Sequence, residues 1–312
     1  MPVARILLWV STIGAIALAV RAIVFTPLPL ALAVLLLCAY LTLVLCGVFF
    51  MRLQMFADVF WRGDDETRGV ALTFDDGPSP DHTPRVLELL AAAGVKATFF
   101  VIGRKADAHP ELVRAIAAAG HAVGVHGYEH DRLFSMRRPG YVRADLGRAV
   151  RTLEEITGER PVLFRPPIGH TNAIIAKEAR ALELELVGWS VRALDGVAGA
   201  RAERVAERVV AGLRDGAVVL LHDAAERDDR TPASVEALPR ILEVMRERGL
   251  SGVRVDAWMD EEAQRAADAG GATRRAAAGK RPRKARAAAD GGNETKPARS
   301  GAPSQPRSAS TP

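Results

Sequence analysis

The sequence predicts an α/β fold with a mostly parallel sheet, preceded by two hydrophobic helices and followed by a basic tail. Three observations support this prediction. Short apolar runs alternate with amphipathic segments in the middle of the chain, charge is nearly absent before them, and Ala, Arg, Gly, Pro and Ser dominate after them. Alternating strands and helices are typical of parallel sheets covered by helices. The pattern alone leaves two architectures open, an open doubly wound layer and an incomplete barrel.

The first part of the chain, residues 1–52, contains two apolar segments that are separated by Arg21. The second, Leu30–Met51, is 22 residues without a charge, and as a helix it would be about 33 Å long, enough to span a bilayer. The first resembles a signal peptide with a cleavage site at Ala17–Ala19, but a second span follows at once. We therefore expect a membrane anchor of two helices rather than a cleaved signal or a buried hairpin.

The middle part, residues 69–259, follows a linker of residues 53–68 and contains seven strand-like runs and six segments with helical spacing. The expected strands are Val70–Phe74, Ala97–Ile102, Ala122–Val125, Val162–Phe164, Leu184–Trp189, Ala217–Leu221 and Val253–Val255. The expected helices are Thr83–Ala93, Ala106–Ala119, Tyr141–Thr157, Asn172–Leu182, Arg201–Leu213 and Ser234–Arg248. Several of these helices are followed by glycine, which favours a left-handed C-cap. In either architecture, functional residues should lie at the carboxyl edge of the sheet.

Charge is distributed unevenly along the chain, whose net charge is +5. Residues 274–312 hold ten Lys/Arg and two Asp/Glu, a net of +8, which leaves −3 for residues 1–273. The main domain is therefore not basic, and no nucleic-acid partner is expected. Residues 260–312 lack apolar periodicity, so we expect a disordered basic tail. The main domain has no cysteine, which excludes a catalytic or zinc-binding thiolate there.

Polar residues follow five of the seven expected strands. These residues are Asp75 and Asp76 after the first strand, His126 and His130 after the third, Arg165 after the fourth, Asp195 after the fifth and His222 after the sixth. Two imidazoles four residues apart, with a carboxylate, suit a zinc-like ion that keeps open positions for water and substrate. Each signal alone is weak, because an Asp-Asp-Gly-Pro run is typical of a turn and paired histidines are common on surfaces. Their ordered combination at strand ends indicates an active site.

These residues resemble the polysaccharide deacetylase family, the NodB-homology domains of carbohydrate esterase family 4. The resemblance extends from about Gly69 to Val255 and rests on five ordered blocks: TFDDGP, HGYEH, FRPP, the segment from Trp189 to Asp195, and LHD. It implies a distorted, incomplete (β/α) barrel and a hydrolase that removes acetyl groups from N-acetylglucosamine units. The implied substrate is an acetylated glycan such as peptidoglycan or a chitin-like oligosaccharide. The implied cofactor is a divalent metal, with zinc favoured and cobalt, manganese or nickel as alternatives.

The resemblance also implies a role for each residue. The metal ligands would be Asp76, His126 and His130, the catalytic base Asp75, the residue that holds the base Arg165, the general acid His222, and the carboxylate that orients this acid Asp195. The backbone N–H of Ile168 would stabilise the oxyanion, and Leu221 would line the acetyl pocket. His170, just after the FRPP block, could contact substrate or cap the helix near Asn172, and capping is the preferred interpretation.

Three departures from the family pattern bear on the substrate. Ile168 stands where an aromatic residue is usual, Gly127 where Ser or Thr is common, and Gly196 where Trp is common. The altered pocket leaves two alternatives open, de-O-acetylation of a glycan and hydrolysis of another small amide. A third alternative is a carbohydrate-binding relative without catalysis, and the presence of Asp75 and His222 argues against it.

The side of the membrane is judged from two conflicting observations. Arg52, Arg62 and Arg68 follow the second span, against Arg5 and Arg21 before it, and this excess mildly favours a cytoplasmic domain. A cell-wall substrate favours the opposite side. We expect a two-pass protein of the cell membrane with an extracytoplasmic catalytic domain.

Overall fold

A computed structural model of the chain describes residues 1–227 and 229–279. Within them, the strands are β1 Val70–Asp75, β2 Thr98–Val101, β3 Ala122–Val125, β4 Leu163–Phe164, β5 Glu185–Leu186, β6 Val191–Arg192 and β7 Ala217–His222. All pairs are parallel, and the order is β5-β4-β3-β2-β1-β7-β6. The sheet curls into a half-barrel, which confirms the predicted incomplete (β/α) barrel.

Helices connect these strands and precede them. They are α1 Val3–Val24, α2 Leu30–Phe49, α3 Thr83–Ala93, α4 Gly103–Ala108, α5 Pro110–Ala118, α6 Pro139–Thr157, α7 Ala173–Ala181, α8 Ala202–Gly212, α9 Ala233–Glu247 and α10 Val255–Gly279. The helix predicted over Ala106–Ala119 is two helices, because Pro110 lacks a backbone N–H and instead begins α5.

The predicted strand Val253–Val255 is wrong. A single bridge between Val70 and Gly252 is found there, and Val255 already begins α10. The seventh strand is β6, which pairs with β7. Because β6 has only two residues, its sequence cannot show an alternation of apolar and polar side chains. Such a short strand can be recognised only from its pairing with β7 in the structure.

The core of the domain is built around β1, all of whose residues are buried. Phe74 on β1 stacks on Phe99 of β2 with ring centroids 5.0 Å apart. The six-residue register between β1 and β7 runs from Val70 opposite Ala217 to Asp75 opposite His222. This register brings the last residues of the two strands side by side at the carboxyl edge of the sheet.

The N-terminal helices α1 and α2 are long and apolar enough to cross a membrane, by length and composition only. All residues of α1 are at least partly exposed, and Gly47 is the one buried residue in α2. Thr12 and Tyr40 form a hydrogen bond between the two helices at 3.0 Å. Their length and exposure are compatible with the membrane anchor expected from the sequence.

Residues 53–68, expected as a linker, pack against the domain. Met55, Ala57 and Val59 are buried, and the backbone N–H of Phe60 donates to the carbonyl of Leu186 at 2.8 Å. Arg5 of α1 also bonds this segment, with its Nη2 2.8 Å from Asp58 Oδ1. The connection between helices and domain is therefore held by burial and polar contacts.

The structure describes α10 as continuing to Gly279, into the segment 260–312 for which the sequence predicts a disordered basic tail. Residues 260–279 are rich in Ala, with eight alanines and three arginines, and both residue types favour helix. The remainder of the predicted tail, residues 280–312, lies outside the described residues.

Candidate active site

Four strands deliver the predicted site residues to one cleft of about 210 Å³ at the carboxyl edge of the sheet. The charged and titratable residues among its lining that the sequence predicted are Asp75, Asp76, His126, His130, Asp195 and His222. Carboxyl ends of parallel strands meet at one edge, so residues far apart in sequence converge there. The cleft thus brings the predicted metal ligands and base together with the predicted general acid and its carboxylate partner.

Asp76, His126 and His130 form a buried cluster whose ligand atoms lie within 4.8 Å of one another. Asp76 Oδ1 is 3.4 Å from His126 Nε2 and 3.1 Å from His130 Nε2, and it makes no hydrogen bond with any described residue. Three tetrahedral ligands with bonds of about 2.0–2.1 Å would stand about 3.3 Å apart. The observed spacing and the unsatisfied carboxylate oxygen therefore fit a bound divalent ion.

The protonation of this cluster also suits a cation. Burial raises the pKa of Asp76, but the neighbouring imidazoles outweigh it and hold that pKa well below its usual range. The carboxylate is therefore ionised at neutral pH. His126 Nδ1 donates to the carbonyl of Arg165 at 2.7 Å, and this leaves Nε2 as the ligand atom.

Arg165 lies fully buried behind the cleft and holds Asp75. Its Nη1 donates to Asp75 Oδ1 at 2.7 Å and to Thr73 Oγ1 at 2.8 Å, and its Nη2 donates to the carbonyl of Gly188 at 2.9 Å. Burial lowers the pKa of Arg165, and the Asp75 carboxylate counteracts part of that shift. The guanidinium is thus held by fixed partners, and it orients Asp75 with one oxygen bound and the other, Oδ2, 3.8 Å from His126 Nε2.

His222 is held by Asp195, and both residues line the cleft. Its Nδ1 lies 3.0 Å from Asp195 Oδ1, and its backbone N–H donates to Asp195 Oδ2 at 2.7 Å. Burial lowers the pKa of His222, but the charge and hydrogen bond of Asp195 outweigh it and raise the pKa to about 9. With Nδ1 occupied, Nε2 is the nitrogen available to a substrate.

The expected position of Leu221 is wrong, whereas Ile168 does line the cleft. Leu221 is fully buried in the core, and its neighbour Leu220 lines the cleft instead. Successive side chains of a strand point to opposite faces, so Leu220 shares a face with His222 and Leu221 does not. Ile168 is 44% exposed and has a left-handed backbone, with φ of 52°.

Sequence reasoning missed Asp145, which holds the loop of His126 and His130. Its carboxylate accepts the backbone N–H groups of Tyr128 and Glu129 at 2.8 and 3.0 Å. It thereby supplies the loop with the polar anchor that Gly127 cannot. The signal was present, because Asp145 lies among apolar residues on the buried face of α6, where a carboxylate requires partners.

His170 does not cap α7, so the preferred interpretation of this residue is wrong. Asn172 is the cap, and its Oδ1 accepts the N–H groups of Ile174 and Ile175, each at 2.9 Å. The ring of His170 packs edge-on against Phe49 of α2 at 4.6 Å, and burial lowers its pKa. The loop after β4 is therefore in contact with the end of a membrane-length helix.

Comparison with known proteins identifies the family of this chain. The family model described as polysaccharide deacetylase matches residues 62–187. A peptidoglycan-N-acetylglucosamine deacetylase of Bacillus cereus is 32% identical over 196 residues, which are 63% of this chain and 70% of that protein. The chain belongs to the polysaccharide deacetylase family.

Other members of the polysaccharide deacetylase family differ in activity. A chitooligosaccharide deacetylase of Bradyrhizobium is 38% identical over 193 residues, covering 59% of this chain and 87% of that protein. Among solved structures, a family 4 pseudoenzyme from Bacillus anthracis is 26% identical with a TM-score of 0.60, covering 67% of this chain and 72% of its own. Because the same fold occurs in deacetylases and in a pseudoenzyme, the fold alone does not indicate catalysis, and only the residues of the site can.

Proposed function

We propose that this chain is a membrane-anchored, metal-dependent deacetylase that removes N-acetyl groups from N-acetylglucosamine-containing glycans, such as peptidoglycan or a chitin-like oligosaccharide. The observation that carries the proposal is the pairing of Asp75 and His222. These residues are register partners at the ends of adjacent strands, and both line the cleft that contains the Asp-His-His cluster. A base and an acid on either side of a metal site serve hydrolysis and have no use in binding alone.

Asp76, His126 and His130 would hold the divalent ion, and zinc is favoured because two imidazoles and one carboxylate are common zinc ligands. When bound, such an ion lowers the pKa of water and polarises an amide carbonyl. Cobalt, manganese and nickel accept the same nitrogen and oxygen ligands. The hydrogen bond from His126 Nδ1 to the Arg165 carbonyl supports this assignment, because it leaves Nε2 for the ion.

The residues of the chain would divide the proton transfers between them. Asp75, held by Arg165, takes a proton from the attacking water. The water oxygen bonds to the acetyl carbon, and the backbone N–H of Ile168 would stabilise the oxyanion that forms. Protonated His222 then donates its Nε2 proton to the leaving nitrogen. The carbon–nitrogen bond breaks, which yields acetate and a free amino sugar.

Helices α1 and α2 would form a two-pass anchor in the cell membrane, with the domain on the extracytoplasmic side. This orientation follows from the proposed cell-wall substrate and opposes the arginine count after α2. A periplasm-active reporter joined to the C-terminus should be active, and a reporter that works only in the cytoplasm would contradict the orientation.

A second candidate function is hydrolysis of an acetyl ester or another small amide. The observation that favours it is Gly196, which lines the cleft without a side chain beside the ring of His222. A cleft that is open at this position would have room for acetyl esters or for small amides other than N-acetylglucosamine. The same water attack cleaves esters, so the residue roles would be unchanged.

Acetate release from N-acetylglucosamine oligomers and from peptidoglycan tests the proposal with the full chain in detergent. We expect release that stops on chelation, returns with zinc, and is absent in Asp75→Asn. Asp81→Asn is the control. It replaces an exposed carboxylate in the loop after β1, and this variant should retain full activity. Release from O-acetylated glycan alone would favour the second candidate, and no release from any substrate with metal bound would favour a non-catalytic relative.

A further inference from the structure

A second cavity, of about 270 Å³, lies where the end of α2 meets the segment between β5 and β6. Residues 49–52 line one side, and Gly188–Ser190 with Arg192 line the other. Trp189 and Arg192 also line the catalytic cleft. The two cavities therefore share a wall, and a ligand that extends past Trp189 would occupy both.

The charge of this second cavity is positive. It contains Arg52 and Arg192, and the described residues that line it include no carboxylate. Neither arginine has a hydrogen bond or ion pair with any residue of the described part of the chain. A guanidinium presents paired N–H donors that match the oxygens of a phosphate, so two unpaired arginines in one cavity favour a phosphate ligand.

The same cavity is apolar on its α2 side. Phe49 and Phe50, at the end of this helix, are each 52% exposed. The position of the helix end is set by the backbone, since the N–H of Thr171 donates to the carbonyl of Val48 at 3.2 Å. If α2 crosses the membrane, these phenylalanines lie at the membrane surface, with the two arginines just outside it.

We infer that this second cavity binds the phosphate of a membrane lipid that carries the acetylated sugar, and that the substrate is a lipid-linked glycan. The inference rests on the proposed function. A lipid-linked sugar has an apolar chain, a phosphate and a sugar in sequence. Phe49 and Phe50, then Arg52 with Arg192, then the catalytic cleft present the complementary surfaces in the same order.

An apolar rim continues on the cleft itself. Ile168, Leu194 and Val197 line the cleft and are 37–56% exposed. A fully hydrated polymer gains little from such a rim, whereas a substrate held at the membrane surface brings apolar groups close to it. This second observation favours the lipid-linked substrate over a soluble glycan strand.

Three probes test the inference with the full chain in nanodiscs. They are N-acetylglucosamine joined through phosphate to a farnesyl chain, the farnesyl glycoside without phosphate, and the soluble N-acetylglucosamine oligomer. We expect the phosphate-linked probe to have the highest kcat/KM. Arg52→Gln should reduce its kcat/KM about tenfold more than that of the glycoside, which corresponds to one lost charge-assisted contact. Arg52→Lys should recover part of this loss.

Arg180→Gln is the matched control, because this exposed arginine on α7 lies in neither cavity, and we expect no change with any probe. Equal kcat/KM for the two farnesyl probes, or an equal effect of Arg52→Gln on both, would overturn the inference while leaving the deacetylase intact. Deacetylation of no probe would instead contradict the proposed function.

Binding is measured separately from activity by native mass spectrometry of Asp75→Asn. Retention of the phosphate-linked probe in preference to phosphatidylglycerol, reduced by Arg52→Gln, would support the inference even without turnover. Equal retention of the two lipids would show a general phospholipid site and overturn it.

Discussion

Asp195 binds His222 at two points, accepting its backbone N–H on one carboxylate oxygen and its Nδ1 proton on the other. The first contact fixes the end of β7, and the second fixes the ring. Because the charge and hydrogen bond of Asp195 outweigh the effect of burial, the pKa of His222 rises to about 9. His222 is thus an imidazolium at neutral pH, the protonation state that its proposed role as general acid requires.

We predict that Asp195→Asn moves the alkaline limb of the pH–rate profile to lower pH and lowers kcat. The amide can still accept the backbone N–H, but it removes the negative charge that raises the pKa of His222. His222→Gln should lower kcat by about 10²–10⁴-fold at all pH values. Asp215→Asn is the control, because this carboxylate accepts a backbone N–H at 2.7 Å but is not among the residues that line the cleft. An unshifted limb in Asp195→Asn would contradict this role.

The same pair predicts a pH dependence of stability. The folded-state pKa of His222 lies above its ordinary value of 6.5, so this stabilisation is complete below pH 6.5 and is lost as pH rises through about 9. Urea unfolding between pH 6 and pH 10 should therefore show a steeper decline for the wild type than for Asp195→Asn. Parallel curves would show that the ion pair adds no net stability.

Arg165→Met should lower the free energy of unfolding by about 3–5 kcal/mol, because it leaves Asp75 buried without its partner. Arg240→Met removes an exposed ion pair with Glu243 and should cost at most about 1 kcal/mol. Urea denaturation of both variants measures the difference. The double variant Arg165→Met with Asp75→Asn should recover part of the loss, and strict additivity would contradict the coupling.

We predict that the full chain binds one divalent ion and that His130→Gln or Asp76→Asn abolishes this binding. Metal analysis after dialysis tests the stoichiometry, with His109→Gln as a control on a partly exposed histidine of another surface. Excess zinc at about 100 times Kd should raise the unfolding free energy by about 2.7 kcal/mol in the wild type. A similar increase in Asp76→Asn would place the ion elsewhere.

Gly169→Ala should raise KM, because the added Cβ would lie 2.2 Å from the ring of Trp189 in the cleft wall. Gly169 also has a positive φ of 72°, which costs about 1 kcal/mol for alanine. Gly94→Ala is the matched control, since its φ is 65° and nothing lies within 4 Å of the added atom. Both variants should lose similar stability from the backbone, and only Gly169→Ala should lose activity.

The convergence of the candidate site residues on one cleft was largely predictable from sequence, because parallel strands bring their carboxyl ends to one edge and polar residues follow those ends. The face of the sheet to which Leu221 points was not predictable. The strand β7 is apolar at every position before His222, so it shows no alternation of apolar and polar residues. The strand β6 and the contact between Val48 and Thr171 were not predictable either. Both depend on partners far along the chain, and neither leaves a local pattern in the sequence.

The packed segment after α2 fixes the distance between the cleft and the N-terminal helices. A flexible tether would let a catalytic domain sample a volume above its anchor, but buried residues such as Met55 and the Phe60–Leu186 hydrogen bond leave little freedom. If α1 and α2 lie in a bilayer, the cleft works in a thin layer at a constant distance from the lipid. The distance of a glycan from the membrane would then decide whether it is deacetylated. Glycans would react while they are close to the lipid, and not after they have been carried farther away.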